Sequence, residues 1–248
     1  MDMKKTILLT SVFAAGAALA DGPQPVEVGS SNAAAVLEVA SVPAGRPVLV
    51  SVPFAGYGAN GGALKVTELV STRGLPEGTL LRAAKAIDGR TATYDTWRLE
   101  SGEWVAPDTV EVDETGAGTK GATPSADTVT LARGHAFWLE LPAGTSGSFA
   151  LLGQEPAAGG SVKLEKGKWN LVGNPGVTSA QLEQKISGAT EGDQFVIASE
   201  EGTALPYTFD GKDWTKTVDL SGKTGTPPAV GAGRGVWVFV KGDATFVL

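Results

Sequence analysis

A nine-residue segment that occurs twice constrains the fold of this chain more than any other feature. Residues 133–141 read RGHAFWLEL, and residues 232–240 read AGRGVWVFV. Placing Trp138 on Trp237 also aligns a glycine near the start of each segment. Because segments further upstream align in the same order, we interpret the chain as an internal duplication of one unit.

The aligned segments have the composition of β-strands and turns. Residues 97–104 match residues 207–214 without a gap, with aromatic and apolar residues at alternate positions, a glycine in the turn and a tryptophan on the returning side. This pattern predicts a β-hairpin in each half. Each half also begins with a predicted hairpin that ends at a proline, Pro53 in the first half and Pro175 in the second.

Composition favours the same class of fold. The 248 residues include 34 glycines and 14 prolines, and 42% are hydrophobic, which suits many short strands joined by tight turns. We predict a mainly β protein of two duplicated antiparallel units, each a β-sandwich or a partly open barrel with at most one short helix. Unit 1 is predicted at residues 21–153, a linker at 154–160 and unit 2 at 161–248. The alternative is one pseudo-symmetric β-structure in which each copy donates half of the strands.

Two segments between the strands carry local predictions. Residues 178–186 begin with a Ser/Thr cap position, carry apolar residues four apart and precede Gly188, which predicts a short helix. Residues 64–70 are the counterpart in unit 1, where the pattern does not distinguish a helix from a strand. Residues 107–127 are polar and contain several turn residues, which predicts an exposed loop.

The N-terminus has the pattern of an export signal. Residues 1–20 combine a basic start, an apolar run and a small-x-small sequence, which predicts a secretory signal peptide cleaved before Asp21. We therefore expect the mature protein to be secreted, at the cell surface or in the periplasm. The chain has no cysteine, so core burial alone must hold its fold. No later apolar run approaches the roughly 20 residues of a spanning helix.

The net charge limits the class of partner. The chain has 20 Lys and Arg residues against 27 acidic residues, a formal charge of -7 at pH 7. A negative surface repels phosphate backbones and anionic lipid headgroups, so we expect neither nucleic acid nor passive membrane adsorption. Other surface proteins and glycans are the expected partners, and the sequence does not indicate an oligomeric state.

Three motifs of unit 2 resemble those of a broad class of exported bacterial β-domains. They are a G-x-W-N-L strand at residues 167–171, an aromatic D-G-x-x-W hairpin at 207–214 and a G-x-G-x-W strand at 233–237. Residues 42–54 are similar to exported proteins typical of Verrucomicrobia, in which a V-P-A-G-x strand precedes an L-V-S-V-P-F strand. Unit 1 departs from the class at Pro47, where the tryptophan of G-x-W-N-L is missing. The resemblance implies a β fold and export, and it assigns no chemistry.

No set of residues predicts a catalytic site, so we expect a non-enzymatic protein without a cofactor. Residues 221–224 contain the Gly-Lys-Thr end of a phosphate-binding loop without its first glycine and its strand, and we interpret them as a turn. His135 is the only histidine, which excludes a two-histidine metal site, and we interpret it as a rim residue before a strand. Two acidic runs are weak Ca²⁺ candidates that lack an established calcium-loop spacing. They are Asp210-Gly211-Lys212-Asp213, and Asp108 with Glu111, Asp113 and Glu114.

The tryptophans indicate where a ligand would bind. Of the six, four occupy repeated positions and are expected in the two cores: Trp104, Trp138, Trp214 and Trp237. Trp97 and Trp169 have no tryptophan partner in the other unit. We predict that these two are exposed aromatic residues, available to stack on the face of a sugar.

Strand periodicity makes a further prediction about the repeated segment. Alternate residues of a strand share a face, so the neighbours of Trp138 and Trp237 should point into the cores. These core-facing residues are Phe137, Leu139, Leu141, Val236, Val238 and Val240. Unit 2 is apolar on both faces of this strand because Phe239 accompanies Trp237. We therefore expect the face of Trp237 to be covered, either by the other half or by the Trp214 hairpin.

These observations leave several functions open. The first is an exported, non-enzymatic β-domain protein that acts by assembly or interaction at the cell envelope or outside the cell. The alternative is a carbohydrate-binding protein that uses exposed aromatic residues. Two further alternatives are an outer-membrane barrel, whose strands would alternate over about 10 residues, and a hydrolase of an unfamiliar type.

Overall fold

The protein is mainly β, as its composition predicts. The computed structural model describes residues 34–42, 45–56, 62–88, 91–107, 109–112, 118–121, 123–145, 147–154, 159–175, 180–181, 184–198, 204–216, 229–231 and 233–248. Of these residues 56% lie in strands and almost none in a helix. The strands form open antiparallel sheets of the β-sandwich class. The signal peptide predicted at residues 1–20 lies outside the described residues.

The elements follow one another along the chain in two series. Those of unit 1 are β1 (Ala34–Val42), β2 (Pro47–Ser51), β3 (Leu64–Lys65), α1 (Val66–Leu69), β4 (Leu80–Asp88), β5 (Thr91–Glu100), β6 (Glu103–Val105), β7 (Thr109–Val112), β8 (Gly118–Gly121), β9 (Thr130–Leu131), β10 (Ala136–Glu140) and β11 (Gly147–Gln154). Those of unit 2 are β12 (Ser161–Lys163), β13 (Trp169–Gly173), β14 (Ala180–Gln181), β15 (Ile186–Ser187), β16 (Gln194–Ala198), β17 (Ala204–Phe209), β18 (Trp214–Lys216), β19 (Ala229–Val230), β20 (Gly235–Phe239) and β21 (Thr245–Val247).

Each unit contains a five-stranded sheet, and the two sheets have the same order of strands. In unit 1 the order is β2-β10-β4-β5-β6, and in unit 2 it is β13-β20-β16-β17-β18. A smaller sheet pairs β1 with β11 in unit 1, and in unit 2 β21 lies between β12 and β15. Each sheet draws its strands from one unit only. Gln154, which the sequence places in the linker, is the last residue of β11.

Each large sheet buries one face in a core of its own unit. The residues predicted to face the cores are all buried: Phe137, Leu139 and Leu141 in unit 1, and Val236, Val238 and Val240 in unit 2. In unit 1 they pack with Trp97, Leu99 and α1 residues, and in unit 2 with Phe195, Tyr207 and Trp214. The alternation in the sequence is therefore sufficient to orient both strands of the repeated segment.

The hairpin predicted at the start of each unit does not form among the described residues, because β1 pairs with β11 and β12 pairs with β21. Equivalent turns instead hold β2 and β13 to the repeated strand of each unit. Gly45 and Gly167 both have a positive φ, 62° and 74°, which favours glycine. The Gly45 N–H donates to the carbonyl oxygen of Leu141 at 3.0 Å, and the Gly167 N–H donates to that of Val240 at 2.7 Å. These turns place β2 and β13 beside β10 and β20 in the same register.

Over the residues that are described, the helix predicted at 178–186 is wrong except at Gln184, which is 3₁₀-helical. Ala180–Gln181 form β14, and Ile186–Ser187 form β15, which pairs with the last strand of the chain. The counterpart in unit 1 contains the short helix α1 instead. The loop predicted at 107–127 contains the hairpin of β7 and β8. Long-range pairing overrides the local helix pattern of a segment this short.

The two units meet where β2, β4 and β10 of unit 1 contact β13 and β20 of unit 2. The Ser51 N–H donates to the Gly233 carbonyl oxygen at 3.0 Å, and the Gly173 N–H donates to the Gly134 carbonyl oxygen at 2.9 Å. Ser51 aligns with Gly173, and Gly134 aligns with Gly233, so each unit donates one hydrogen bond and accepts one at matching positions. We call Ser51, Gly134, Gly173, Gly233 and Gly235 the junction.

Candidate ligand-binding surface on unit 2

Trp97 is a core residue, so the prediction that it is an exposed stacking aromatic is wrong. Its side chain has 0% exposure, and its Nε1–H donates to the Pro124 carbonyl oxygen at 2.9 Å. In β5 it alternates with Arg98 and shares the core-facing side with Leu99. Its aligned residue, Tyr207, is also buried. A position can therefore be core in both units without being tryptophan in both.

The repeated tryptophans separate into two kinds. Trp104 and Trp214 are buried, as predicted, and Trp214 packs on Phe195 and Phe209 with ring centroids 4.8 and 5.1 Å apart. Trp138 and Trp237 are only partly buried and lie on the outer faces of their sheets. The prediction that the repeated tryptophans lie in the cores is therefore confirmed for Trp104 and Trp214, whereas Trp138 and Trp237 are only partly buried.

Trp169 is partly exposed and belongs to a group of three aromatic side chains. It is opposite Phe239 in the pairing of β13 with β20. The two ring centroids are 5.7 Å apart, and the ring planes are tilted by 51°. Trp237 precedes Phe239 by two residues and therefore points to the same side of the sheet. We call Trp169, Trp237 and Phe239 the aromatic face.

Strand register determines what surrounds the aromatic face. Gln194 of β16 is opposite Phe239, and Thr208 of β17 is opposite Gln194. Val196 is opposite Trp237 in the same way. Because Phe195 and Tyr207 point into the core, Gln194, Val196 and Thr208 point outward with the aromatic rings. The face thus consists of aromatic rings beside one aliphatic, one amide and one hydroxyl side chain.

A pair of charges borders the aromatic face at the start of β13. Lys168 Nζ lies 2.9 Å from Glu165 Oε2, and both side chains are exposed. This hydrogen bond and the charge of Glu165 raise the pKa of Lys168, with a smaller contribution from the charge of Asp88 at the end of β4. In turn, the hydrogen bond from Lys168 and the charge of Lys168 lower the pKa of Glu165. The two charges therefore balance each other beside the rings.

The matching surface of unit 1 has a different character. Pro47 and Glu140 occupy the positions of Trp169 and Phe239, again opposite each other. Arg82 lies opposite Trp138, and its Nη1 donates to Glu140 Oε2 at 2.8 Å. An ion pair therefore occupies the surface that carries aromatic rings in unit 2.

Unit 1 covers the inner part of the aromatic face. Leu49, Ala136 and Leu171 form a small buried cluster between the units, and Trp138 and Trp237 both pack against it. Further partly buried residues of β4 also pack there, namely Ala84 and Ile87. Of the two covers predicted for the face of Trp237, the other half and the Trp214 hairpin, the structure shows the other half. The three rings of the aromatic face are each partly buried.

The other candidate residues do not assemble a reactive group in the described part of the chain. His135 is exposed at the surface, and partial desolvation lowers its pKa. Its backbone lies next to the junction residue Gly134, and its carbonyl oxygen accepts from the Val52 N–H at 2.9 Å. Among the described residues, no three His, Cys, Asp or Glu residues are grouped to hold a metal ion.

The first Ca²⁺ candidate is a hydrogen-bonded turn. Asp210 Oδ1 accepts from the backbone N–H groups of Asp213 at 2.7 Å and Lys212 at 2.9 Å. These bonds lower the pKa of the Asp210 carboxyl. Its carboxylate therefore closes the turn that leads into Trp214. The side chains of the second run, and residues 221–224 of the Gly-Lys-Thr turn, lie outside what is described.

Phe239 and Gln194 were not predicted as site residues. Pairing the aligned strands β13 and β20 in the register of a duplicated unit would have placed Phe239 opposite Trp169. The sequence signal was present, because Phe239 makes β20 apolar on both faces. A strand that is apolar on both faces indicates that its outer face is either covered or a binding surface. In the structure Phe239 is partly covered.

No protein-family model matches the chain, and neither a curated protein nor a solved structure shows significant similarity to it. No helix among the described residues is both long and apolar enough to cross a membrane. The function has to be inferred from the residues of this chain.

Proposed function

We propose that the chain is an exported, non-enzymatic protein that acts by binding other components of the cell envelope or its surroundings through the aromatic face. The observation that carries this proposal is the grouping of Trp169, Trp237 and Phe239 on one partly open sheet face. Such a face loses hydration when a partner covers it, which favours binding. Binding of this kind needs no reactive group.

The contrast between the units supports a binding role for unit 2. If the chain arose by duplication, as we infer from the matching strand orders, both copies began with the same outer face. Unit 1 now has an Arg82–Glu140 ion pair where unit 2 has an aliphatic and an aromatic side chain. A purely structural role would not require the partly exposed rings of unit 2, because the ion pair provides a surface that is compatible with water.

The junction supports the same role, because it makes a firm base for the aromatic face. The two reciprocal hydrogen bonds and the small buried cluster fix unit 1 against the inner part of this face. A binding surface whose residues are already positioned loses less entropy when a partner binds. Unit 1 is thus proposed to act as a support and unit 2 as the binding unit.

Export is part of the proposal and rests on residues 1–20 and on the resemblance to exported β-domains. Expression of the full chain, followed by cell fractionation and N-terminal sequencing of the product, tests it. We expect the protein outside the cytoplasm with Asp21 as its first residue. An intact N-terminus on cytoplasmic protein would contradict export.

Site-specific photocrosslinking in intact cells tests the binding surface. A benzophenone amino acid at Thr208 lies on the outer face of unit 2, and the same amino acid at Arg98 occupies the matching position in unit 1. We expect crosslinked products from position 208 and far fewer from position 98. Equal labelling at both positions, or no product at either, would remove the support for a binding role of this face.

A further inference from the structure

We propose that the aromatic face is a binding site for a neutral polysaccharide, with Trp169 and Phe239 stacking on sugar rings and Gln194 and Thr208 hydrogen bonding to sugar hydroxyl groups. This inference rests on the proposed function, because it names the class of ligand for the same face. It replaces Trp97 in the predicted pair of stacking residues by Phe239.

The size of the open surface favours a sugar chain over a folded protein. Each aromatic ring of the face is more than half covered, so the three together leave on the order of 200 Å² open. A stable protein interface takes about 800 Å² from each partner. One or two sugar units are small enough to cover the open rings, whereas a protein would have to find most of its contact area elsewhere.

The chemistry of the face favours a ligand with both apolar and hydroxyl-bearing surfaces. A pyranose ring presents C–H groups on its face and hydroxyl groups around its edge. On this sheet the rings of Trp169 and Phe239 lie beside the amide of Gln194 and the hydroxyl of Thr208. Aromatic side chains with a few polar neighbours are the usual lining of small-molecule sites. A purely hydrocarbon ligand would make no use of the hydrogen-bonding amide of Gln194.

The charges favour a neutral ligand over an acidic one. None of the five side chains Trp169, Val196, Gln194, Thr208 and Phe239 is charged. Lys168, which precedes Trp169 in the chain, is already paired with Glu165. The whole chain carries -7, which repels a polyanion at longer range. In unit 1, by contrast, the matching surface carries a charged pair.

The tilt between the rings suits a chain rather than a flat aromatic ligand. Trp169 and Phe239 are inclined by 51° and lie on neighbouring strands. A single flat ligand can lie parallel to only one of them. Successive sugar units can turn relative to each other about the glycosidic bond, so each ring can be met by a different unit.

Affinity electrophoresis of the mature protein tests the inference. The probes are hydroxyethylcellulose, xylan, laminarin and galactomannan, with alginate as an anionic comparison. The variants are Trp169→Ala and, at the matching position in unit 1, Pro47→Ala. Thermal unfolding of each variant establishes that it is folded, and Trp169→Phe keeps a ring in place should the alanine variant be unstable.

We expect retardation by at least one neutral polysaccharide. The apparent affinity should fall about tenfold in Trp169→Ala, equal to about 1.4 kcal/mol, fall less in Trp169→Phe and stay within twofold in Pro47→Ala. Retention by alginate alone, retention unchanged in both Trp169 variants, or no retention by any neutral probe would overturn the inference. Protein crosslinks from position 208 without glycan retention would overturn it and leave the proposed function standing.

Discussion

The substitution Gly173→Ala is expected to destabilise the protein by crowding the junction. A Cβ atom at Gly173 would lie 2.4 Å from Ser51 Cβ, 2.5 Å from Ser51 Oγ and 2.8 Å from Ser51 Cα. Ser51 is fully buried, so its side chain has no open space to enter. The same contact region contains the two reciprocal hydrogen bonds between the units.

The expected loss of stability is about 3 kcal/mol. Overpacking in a close-packed region costs about 1–3 kcal/mol, and weakening each of two hydrogen bonds costs about 0.5–1.5 kcal/mol. Alanine returns about 0.4–1 kcal/mol because it restricts the unfolded chain. For a chain of this size each kcal/mol corresponds to about 2–4 °C, so Tm should fall by about 6–12 °C.

Thermal unfolding followed by circular dichroism measures this effect, and Gly62→Ala is the matched control. A Cβ atom at Gly62 would meet nothing within 4 Å. The control shares the effect of alanine on the unfolded chain and lacks the crowding, so we expect its Tm to stay within about 2 °C of the original protein. Equal Tm values for Gly173→Ala and Gly62→Ala would refute the reasoning.

Exchanging the two residues across the junction tests the cause. The double variant Ser51→Gly/Gly173→Ser removes Ser51 Cβ and Oγ, the two atoms nearest to a Cβ atom at residue 173. We expect it to recover at least half of the stability that Gly173→Ser loses alone. Such a departure from additivity is the expected behaviour of two residues in direct contact. Additive losses would show that the crowding is not at Ser51.

Three further predictions concern single side chains. Ser51→Ala should change stability by less than about 1 kcal/mol in urea unfolding, because Ser51 Oγ is buried and bonds to nothing in the described part of the chain; a larger loss would reveal a partner. Asp193→Ala should cost about 3 kcal/mol in the same assay, because the buried Asp193 carboxylate accepts from the Thr190 and Lys241 N–H groups at 2.9 and 2.7 Å; a loss below about 1 kcal/mol would contradict this. Desolvation lowers the pKa of His135, so its contribution to stability should be full above about pH 6.5 and decline as the pH falls below that value. In proton NMR of the untagged protein, the signal of this single histidine should titrate with a midpoint below about pH 6.5. A midpoint at or above about pH 6.5 would contradict the prediction.

The faces of the repeated strands could be predicted because the alternation there is strict. Phe137 and Leu139 point to the core and Trp138 does not, and the same holds around Trp237. Alternation fails as a guide only where both faces are apolar, as at Phe239. There the sequence predicts contact on both sides without saying how much of the second side is covered.

The helix predicted at 178–186 is wrong because the prediction used only neighbouring residues, whereas the segment pairs with a strand that is distant in the sequence. Apolar residues four apart suit a helix, but Ile186 is buried against Phe246 of the last strand. A segment of this length gains too little from its own hydrogen bonds to hold a helix against such pairing. The partner strand lies about 60 residues further along the chain, which no local pattern can indicate.

The error at Trp97 has a different cause. The absence of a tryptophan in the other unit suggests exposure, whereas Tyr207 fills the same core position with a different aromatic ring. Comparison by residue type therefore misleads where two units pack equivalent cores with different side chains. When aligned residues are compared by class, Trp97 matches the aromatic Tyr207 and is placed in the core. Trp169 aligns with Pro47, so it is the tryptophan whose class differs between the units.

The positions where the units differ in class are therefore more informative than the positions where they agree. Agreement at the glycine turns and core strands reflects what any copy of the unit needs to fold. The exchange of Pro47 and Glu140 for Trp169 and Phe239 alters no core contact, because all four lie on the outer faces. An aromatic pair that the core does not need, on a partly buried outer face of unit 2, is the feature on which the proposed binding function rests.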